Sequence, residues 1–480
     1  MNRSRDGTTI KFTSATVEVE SSESLSEAEA SQLLRRIDLH LLPVLFLIYV
    51  VAFLDRANMG NALTMGLPQE LGLTDQQPNT ALAVFFVPYI ILEIPSNVLL
   101  KKVTPHVWLS FCTLGFGIVT LCQGFVQNYG GLLATRFFLG VFEAGIFPGS
   151  FYLISFWYKR QEAQKRFTVY FCSVIVASAF GGLLASAIAH MDGIRGLRNW
   201  RWVFILEGIL SVLVALGAFF CVSDFPDQAT WLSAREYQWV LRKTHHVHQQ
   251  DAGKENITRG DLGKFFRNPK NYICALMYFC VVVPVYAFAY FTPTVVRTLG
   301  YSTVQTQLHS VPPFAAALGL CLILAYLSDR TDMRLPYLLF SGVLLIAGLA
   351  VLMTTYGHFS AQYAGLCLVC IGSFSAAPTV ICWYLMNLHG HKQRSIGSGW
   401  MISFGNTGGI LAPFAFLQSD APYYRPGYSL CMAVAALGLV MALCYAAFVL
   451  IDKRKAGLWY NRPDDAPSEE THLQRPVLAL

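Results

Sequence analysis

Four ionisable residues stand inside strongly apolar stretches of this 480-residue sequence: Asp55 and Arg56 in one, Arg136 and Glu143 in another. A charge in hydrocarbon costs at least ~2.5–3.5 kcal/mol on insertion scales, so each of these side chains is expected to face a cavity or a partner. Desolvation favours the neutral form of a carboxyl group, which makes Asp55 and Glu143 candidate proton carriers. Arginine stays charged and offers a planar fork that matches a carboxylate. Proton-titrating acids beside fixed arginines suit a carrier that moves an organic anion together with protons.

The elements holding these residues are apolar helices. Hydrophobic residues make up 54% of the chain and charged residues 13%, against about 25% charged in soluble proteins. Apolar runs of the length needed to cross a bilayer, ~20 residues, recur between Leu39 and Ile451. The expected spans are Leu39–Leu67, Thr80–Leu100, Val107–Val126, Gly131–Trp157, Phe167–His190 and Trp202–Val222, then Ile273–Thr292, Leu308–Leu327, Pro336–Tyr356, Gln362–Asn387, Ile396–Leu417 and Tyr428–Ile451. The fold class is therefore an all-α membrane protein of twelve transmembrane helices in two six-helix halves, residues 35–222 and 272–452. Residues 1–34 read as a disordered cytoplasmic tail, 223–271 as a cytoplasmic linker and 453–480 as a second cytoplasmic tail.

Length arithmetic places the first pair of charges. Leu41 to Leu54 covers only ~21 Å at 1.5 Å per residue, too little to cross ~30 Å of hydrocarbon. The helix should continue through Asp55-Arg56 to Leu67, setting both at membrane depth; the alternative is that the span ends there and the pair snorkels to the surface. Arg136 and Glu143 are two turns apart and share a helix face, with Glu143 about 18 Å in from Gly131. Their alternative role is structural ion pairing with neighbouring helices. Glu93 and Glu207 are weaker candidates, for which local pairing is the favoured reading.

Basic residues choose the orientation. Arg35, Arg36, Lys101, Lys102, Lys159, Arg160, Lys165, Arg166, Arg330, Arg334, Lys392, Arg394 and Lys453–Lys455 fall on one face, which the positive-inside rule makes cytoplasmic. Both termini then lie in the cytoplasm. The linker holds an amphipathic piece, Trp231 to Leu241, and a polar stretch from His245 to Asp261 expected to be flexible. His245, His246 and His248 read as solvated linker rather than a metal site. The halves echo each other: Lys165-Arg166 before Gly181-Gly182-Leu183-Leu184-Ala185, and Lys392-Gln393-Arg394 before Gly408-Gly409-Ile410-Leu411-Ala412. Parallel repeats around a midplane site are a transporter architecture.

Other functions find no support. The net charge of +6 sits at helix ends, so nucleic acid is not indicated. No G-x-x-x-x-G-K-[ST] phosphate loop is present, and no nucleophile motif or metal-ligand spacing stands out, so neither an enzyme nor a cofactor is expected. The 12 cysteines fall largely within apolar runs and read as small buried hydrophobes.

Several stretches carry a resemblance. Phe53-Leu54-Asp55-Arg56-Ala57-Asn58-Met59-Gly60-Asn61-Ala62, Glu93-Ile94-Pro95-Ser96-Asn97, the run from Arg136 to Gly145, Trp202 to Gly208, Ser403 to Ile410 and Asp420 to Tyr424 resemble the major facilitator superfamily. Within it they resemble the anion:cation symporters and the fungal allantoate/nicotinate permease branch. The resemblance implies that Arg56 engages a substrate carboxylate, that Asp55 and Glu143 carry protons, and that Arg136 serves anion transport, with Asn58 and Asn387 as further substrate contacts. Leu327 to Arg334 resembles the cytoplasmic gating loop, with Asp329, Arg330 and Arg334 as its charges; Val98 to Lys102, its first-half counterpart, lacks the usual acid. Two departures stand out. Ala177-Ser178 replaces the Gly-Pro of drug:proton antiporters, and Met386-Asn387 replaces a common Asn-Asn pair.

The expected function is proton-coupled symport of a small organic anion, such as a nicotinate- or allantoate-like carboxylate, by a monomer in the plasma membrane. Export of a carboxylated secondary metabolite on the same fold is one alternative, and a transport-inactive receptor or sensor another. Retention of Asp55, Arg56, Arg136 and Glu143 favours transport.

Overall fold

A computed structural model describes residues 26–74, 76–158, 160–229, 231–252, 259–331, 333–388 and 391–460; these form helices and turns, with no strand among them. The first helix, α1, runs unbroken over Glu27–Thr64. Its start is fixed by a capping box in which the Ser26 hydroxyl accepts from the Glu29 amide and the Glu29 carboxylate accepts from the Ser26 amide at 2.8 Å, satisfying two of the helix's orphan donors. Residues 27–34 are therefore helical, not part of a disordered tail. As the length argument requires, the helix passes through Asp55-Arg56, and every residue from Ile48 to Ala62 is buried.

The second span, α2, is made of Gln77–Val84 and Phe86–Lys102; α3 is Pro105–Gln123; α4 is made of Tyr129–Glu143 and Ile146–Trp157; α5 is Arg160–Ile188 and α6 Asn199–Cys221. In the second half, α7 is Pro269–Thr298, α8 is made of Thr303–His309 and Val311–Thr331, α9 is Leu335–Thr354, α10 Phe359–Asn387, α11 His391–Asn406 and α12 Arg425–Tyr460. The same pairings recur six helices apart: α1 packs on α5 and α6 as α7 does on α11 and α12, and α3 packs on α6 as α9 does on α12. The halves meet along α1–α7, α5–α8 and α2–α11.

Among the described residues, eleven helical segments are long and apolar enough to cross a membrane, where the sequence reading expects twelve spans. The expected span Ile396–Leu417 is broken: after α11 the chain turns at Thr407 and continues as Gly408–Leu411 and a 3-10 turn, Ala412–Ala415. Two adjacent glycines and Pro413 weaken a helix here. The break is tolerated because it is buried in protein and its carbonyls find donors. Asn79 of α2 donates to Pro413 O at 2.6 Å and to Phe416 O at 3.2 Å.

Among the described residues, the connection between halves is largely helical, where the sequence reading expects a flexible stretch. A helix over Ala234–Ala252 contains most of the amphipathic piece and runs on through His245, His246 and His248, and a second covers Arg259–Phe266. Asn256 and its neighbours lie outside the described residues. The first of these helices docks on the amino-terminal half. Trp231 stacks on Trp157 and on His40, Arg36 pairs with Glu236 at 3.1 Å, and Lys243 with Glu162 at 2.7 Å.

Candidate functional site

The buried charges gather where the two halves face each other. Arg56, on α1, donates from Nη2 to Glu143 Oε1 on α4 and from Nη1 to the hydroxyl of Tyr286 on α7. Both members of the ion pair are 1% exposed. Two glycines make the approach possible. A Cβ at Gly60 would stand 2.1 Å from the Tyr290 carbonyl oxygen, so only glycine lets α1 lie this close to α7; a Cβ at Gly140 would stand 2.1 Å from the Phe85 carbonyl oxygen and hold α4 off α2. Glu143 is one turn beyond Gly140, which brings its carboxylate to Arg56.

Aromatic rings enclose the guanidinium. Its carbon lies 4.7 Å from the centre of Phe85, 5.0 Å from Tyr89, and 5.5 Å from both Phe53 and Tyr286. Ring faces stabilise a cation that water no longer solvates. Phe53, Tyr89 and Tyr286 also line a narrow central cavity with Tyr49, Phe147, Tyr278 and Asn406. Arg56 Nε and Glu143 Oε2 have no hydrogen-bond partner, so the pair keeps one free donor and one free acceptor behind the rings that line the cavity. The site thus presents a fixed cation, a carboxylate that neutralises it, and flat apolar walls.

The other expected site residues are distributed differently. Asp55 lies about 100° around α1 from Arg56. It accepts from Thr120 on α3 at 3.0 Å and from Ser211 on α6 at 3.1 Å, so its partners lie inside the amino-terminal half and the neighbour of Arg56 is Glu143 instead. Arg136 is buried with its guanidinium 5.7 Å from the Phe204 ring, and neither Nε nor Nη2 has a partner. Its charge acts on Asp55 and Glu143 without a hydrogen bond to either. Glu207, one turn before Ser211 on α6, is buried with both carboxylate oxygens unpartnered, which does not fit the local pairing expected for it.

Asn58 accepts from Asn61 at 3.0 Å and packs where Gly181 of α5 comes close, so the structure does not bring it to Arg56. Asn387 lies at the far end of α10, donating to Trp383 O at 3.1 Å and lining a separate pocket with Lys270, Tyr384 and Asp452. Sequence reasoning missed Tyr286 and Asn406 and favoured a local role for Glu93, which instead reaches α11 of the other half and accepts from Ser403 at 3.1 Å. The one available signal for Tyr286 was Pro284 within an apolar span, since interrupted helices mark transporter sites.

The halves are pinned at the end of the bundle away from the start of α1. The carbonyl of Thr64, at the carboxyl end of α1, accepts from Arg297 of α7, and the Thr64 hydroxyl accepts from Gln307 of α8 at 2.9 Å. A cation at a helix carboxyl end also complements the helix dipole. Toward the opposite end an open cleft between α5 and α8 is lined by Lys165, Thr168, Asp329 and Arg330. The Thr64 end is therefore the closed side of this conformation. Replacing both Arg297 and Gln307 with alanine should loosen the closed side, since a hydrogen bond from a charged donor contributes about 1.5–3 kcal/mol. Maleimide labelling of Met65→Cys should speed up at least about fivefold in that background; unchanged labelling would show that the latch does not hold the closed side.

In the loop after α8, Arg334 donates to Asp329 and, at 2.7 Å, to Ser328. The carboxylate–guanidinium pair is local to the carboxyl-terminal half, and Arg330 is exposed beside the cleft. Arg334 is only 5% exposed in its side chain, so Asp329→Asn takes one carboxylate away from a largely buried cation and loosens the loop that the pair holds. Turnover is expected to fall severalfold while substrate affinity stays within about twofold, because the pair is remote from the cavity. Unaltered turnover would make the loop a mere connector.

Comparison with known proteins agrees with this architecture. The sequence profile of the Major Facilitator Superfamily matches residues 45–413. The chain is 30% identical over 446 residues to the MFS-type transporter cnsO of Penicillium expansum, covering 90% of this chain and 86% of the relative. It is 26% identical to the high-affinity nicotinic acid transporter of Saccharomyces cerevisiae, covering 92% of this chain and 83% of that one. Among solved structures, a bacterial homologue of the human lysosomal transporter Spinster superimposes with a TM-score of 0.60 at 16% identity, over 90% of this chain and 98% of that one. With its paired helical halves, its buried charges between them and a profile match over most of its length, this chain belongs to the Major Facilitator Superfamily, as a multi-pass membrane transporter and not an enzyme.

Proposed function

We propose that the protein is a proton-coupled symporter of a small organic anion, with Arg56 as the carboxylate receptor and Glu143 as the group that exchanges a proton for it. The observation that carries this reading is the buried Arg56–Glu143 pair, whose guanidinium lies directly behind the Phe53, Tyr89 and Tyr286 rings that line the cavity between the halves. An incoming carboxylate competes with Glu143 for one guanidinium. Protonation of Glu143 removes its claim on Arg56 and frees Nη2, which with the unpartnered Nε can grip a carboxylate through two parallel hydrogen bonds. Binding of anion and of proton then favour each other, as linkage requires of two ligands coupled through one ion pair. The aromatic walls suit a flat or apolar carboxylate, and the similarity to a nicotinic acid transporter is in keeping with that class. Asp55, between Thr120 and Ser211, is a second proton acceptor in this scheme, and Arg136 keeps the intervening region electropositive.

We further propose that both termini lie in the cytoplasm, on the strength of the basic face, and that the protein is a monomer of the plasma membrane. Uptake of a panel of labelled carboxylates by cells producing the protein, measured at two external pH values, tests the proposal. At least one acid should enter faster at the lower pH beyond what its neutral form explains by diffusion; no protein-dependent uptake at either pH would sink it.

A further inference from the structure

Glu93 is a fully buried carboxylate, 0% exposed, on the central part of α2. No ion pair among the described residues contains it. Its Oε2 accepts from the Ser403 hydroxyl across the boundary between the halves, the Asn406 side chain of α11 lies beside it, and its Oε1 has no hydrogen-bond partner. Tyr89, one turn earlier on the same face of α2, and Asn406 both line the central cavity. Asn406 in turn accepts from the Tyr286 hydroxyl at 3.5 Å, and Tyr286 is the residue that accepts from Arg56. A short polar relay, Arg56–Tyr286–Asn406–Glu93, therefore crosses the site from a cation to a carboxylate. The cation end already has its counter-ion in Glu143, while the carboxylate end has a hydroxyl donor and a neighbouring amide but no cation among the described residues. A buried carboxylate without a counter-charge is costly, and a ligand can supply what the protein does not.

We infer that the central site is bipolar, and that Glu93 reads a cationic or N–H-donating group at the end of the substrate away from its carboxylate. This rests on the reading of Arg56 as carboxylate receptor and narrows it. The substrate class becomes small carboxylates that carry an ammonium or another N–H donor at their far end. Glu93 is a specificity residue here, and Ser403 and Asn406 position it. A purely mechanical role, in which Glu93 only ties α2 to α11, makes a different prediction. Glutamine preserves an accepting oxygen for Ser403 and is nearly isosteric, so it would keep the tie and lose only the charge.

The test is isothermal titration of the purified full-length protein with pairs of acids matched in shape. Suitable pairs are 4-aminobutyrate with pentanoate, and 3-(aminomethyl)benzoate with 3-ethylbenzoate. Each pair is titrated into the wild type, Glu93→Gln and Arg56→Ala. The wild type should bind the ammonium-bearing member of at least one pair about tenfold or more tighter than its apolar twin, the value of one charge-assisted contact. In Glu93→Gln that preference should vanish through loss of affinity for the ammonium compound alone, with the alkyl acids within about twofold of wild type. Equal binding of the twins by the wild type would overturn the inference, as would a preference that survives in Glu93→Gln. Both of those outcomes leave the carboxylate reading standing, provided that Arg56→Ala weakens all of the acids. If no acid in the set binds, or if Arg56→Ala binds them unchanged, the carboxylate reading falls and this inference with it.

Discussion

Substituting Arg56 with lysine is expected to weaken carboxylate binding by about 10- to 100-fold, although the charge is retained. One charge-assisted hydrogen bond is worth about 1.5–3 kcal/mol, and lysine cannot present two parallel N–H groups to both carboxylate oxygens. The pair with Glu143 and the bond to Tyr286 use two different nitrogens of the same guanidinium, and an ammonium at the end of a flexible stem cannot hold both in that geometry. Arg56→Ala should be worse, because it also leaves Glu143 buried without its cation. The decisive feature is non-additivity. Converting the substrate carboxylate to a neutral amide should cost the wild type most of its affinity but matter little to Arg56→Ala, the pattern expected when two changes remove one shared contact. If carboxylate and amide lose affinity equally in Arg56→Ala, the arginine supports the helices and does not read the substrate.

Glu143→Gln should separate movement of substrate from movement of protons. Glutamine mimics the protonated carboxyl group and no longer competes for Arg56 as an anion. Affinity for the carboxylate should therefore hold or rise, and exchange of labelled for unlabelled substrate should survive. Accumulation driven by an inward proton gradient should fall to background, a loss of about tenfold or more, because the site has lost the group whose charge the proton cancels. Proton-driven accumulation at the normal level in this variant would remove Glu143 from the coupling mechanism and leave Asp55 as the remaining candidate.

Much of the fold is legible before any coordinates, because apolar run length and the position of charges are local properties. The continuation of α1 through Asp55-Arg56 follows from counting: a run too short to cross cannot be a whole span. The helical start at Glu27 was also written in the sequence, in the capping pair Ser26 and Glu29, but it precedes the apolar run and a hydropathy reading passes over it. The break after Asn406 is harder. Its tolerance depends on Asn79, 334 residues away from Pro413 in the chain, supplying the missing donor.

The site is legible only in part, for a geometric reason. Spacing along one helix shows which residues share a face, so Asp55 and Arg56, adjacent in sequence, must point differently. It does not show which helix each face meets. The pairing of Arg56 with Glu143 rather than Asp55, and the recruitment of Tyr286, Asn406 and Glu93, depend on how α1, α2, α4, α7 and α11 converge. The placement of Asn58 against α5 and of Asn387 at the end of α10 has the same origin. Both asparagines stand on the right helices but on faces or at depths that look elsewhere.

The most direct measurement of the central claim uses purified protein in sealed liposomes with an imposed proton gradient, acidic outside, following labelled carboxylate inside and pH outside at the same time. The account predicts that a carboxylate accumulates above its external concentration, that the external medium becomes more alkaline in step with its entry, and that a protonophore abolishes both. Entry that stops at equal concentrations with no accompanying proton movement, for every carboxylate that the protein transports, would contradict it.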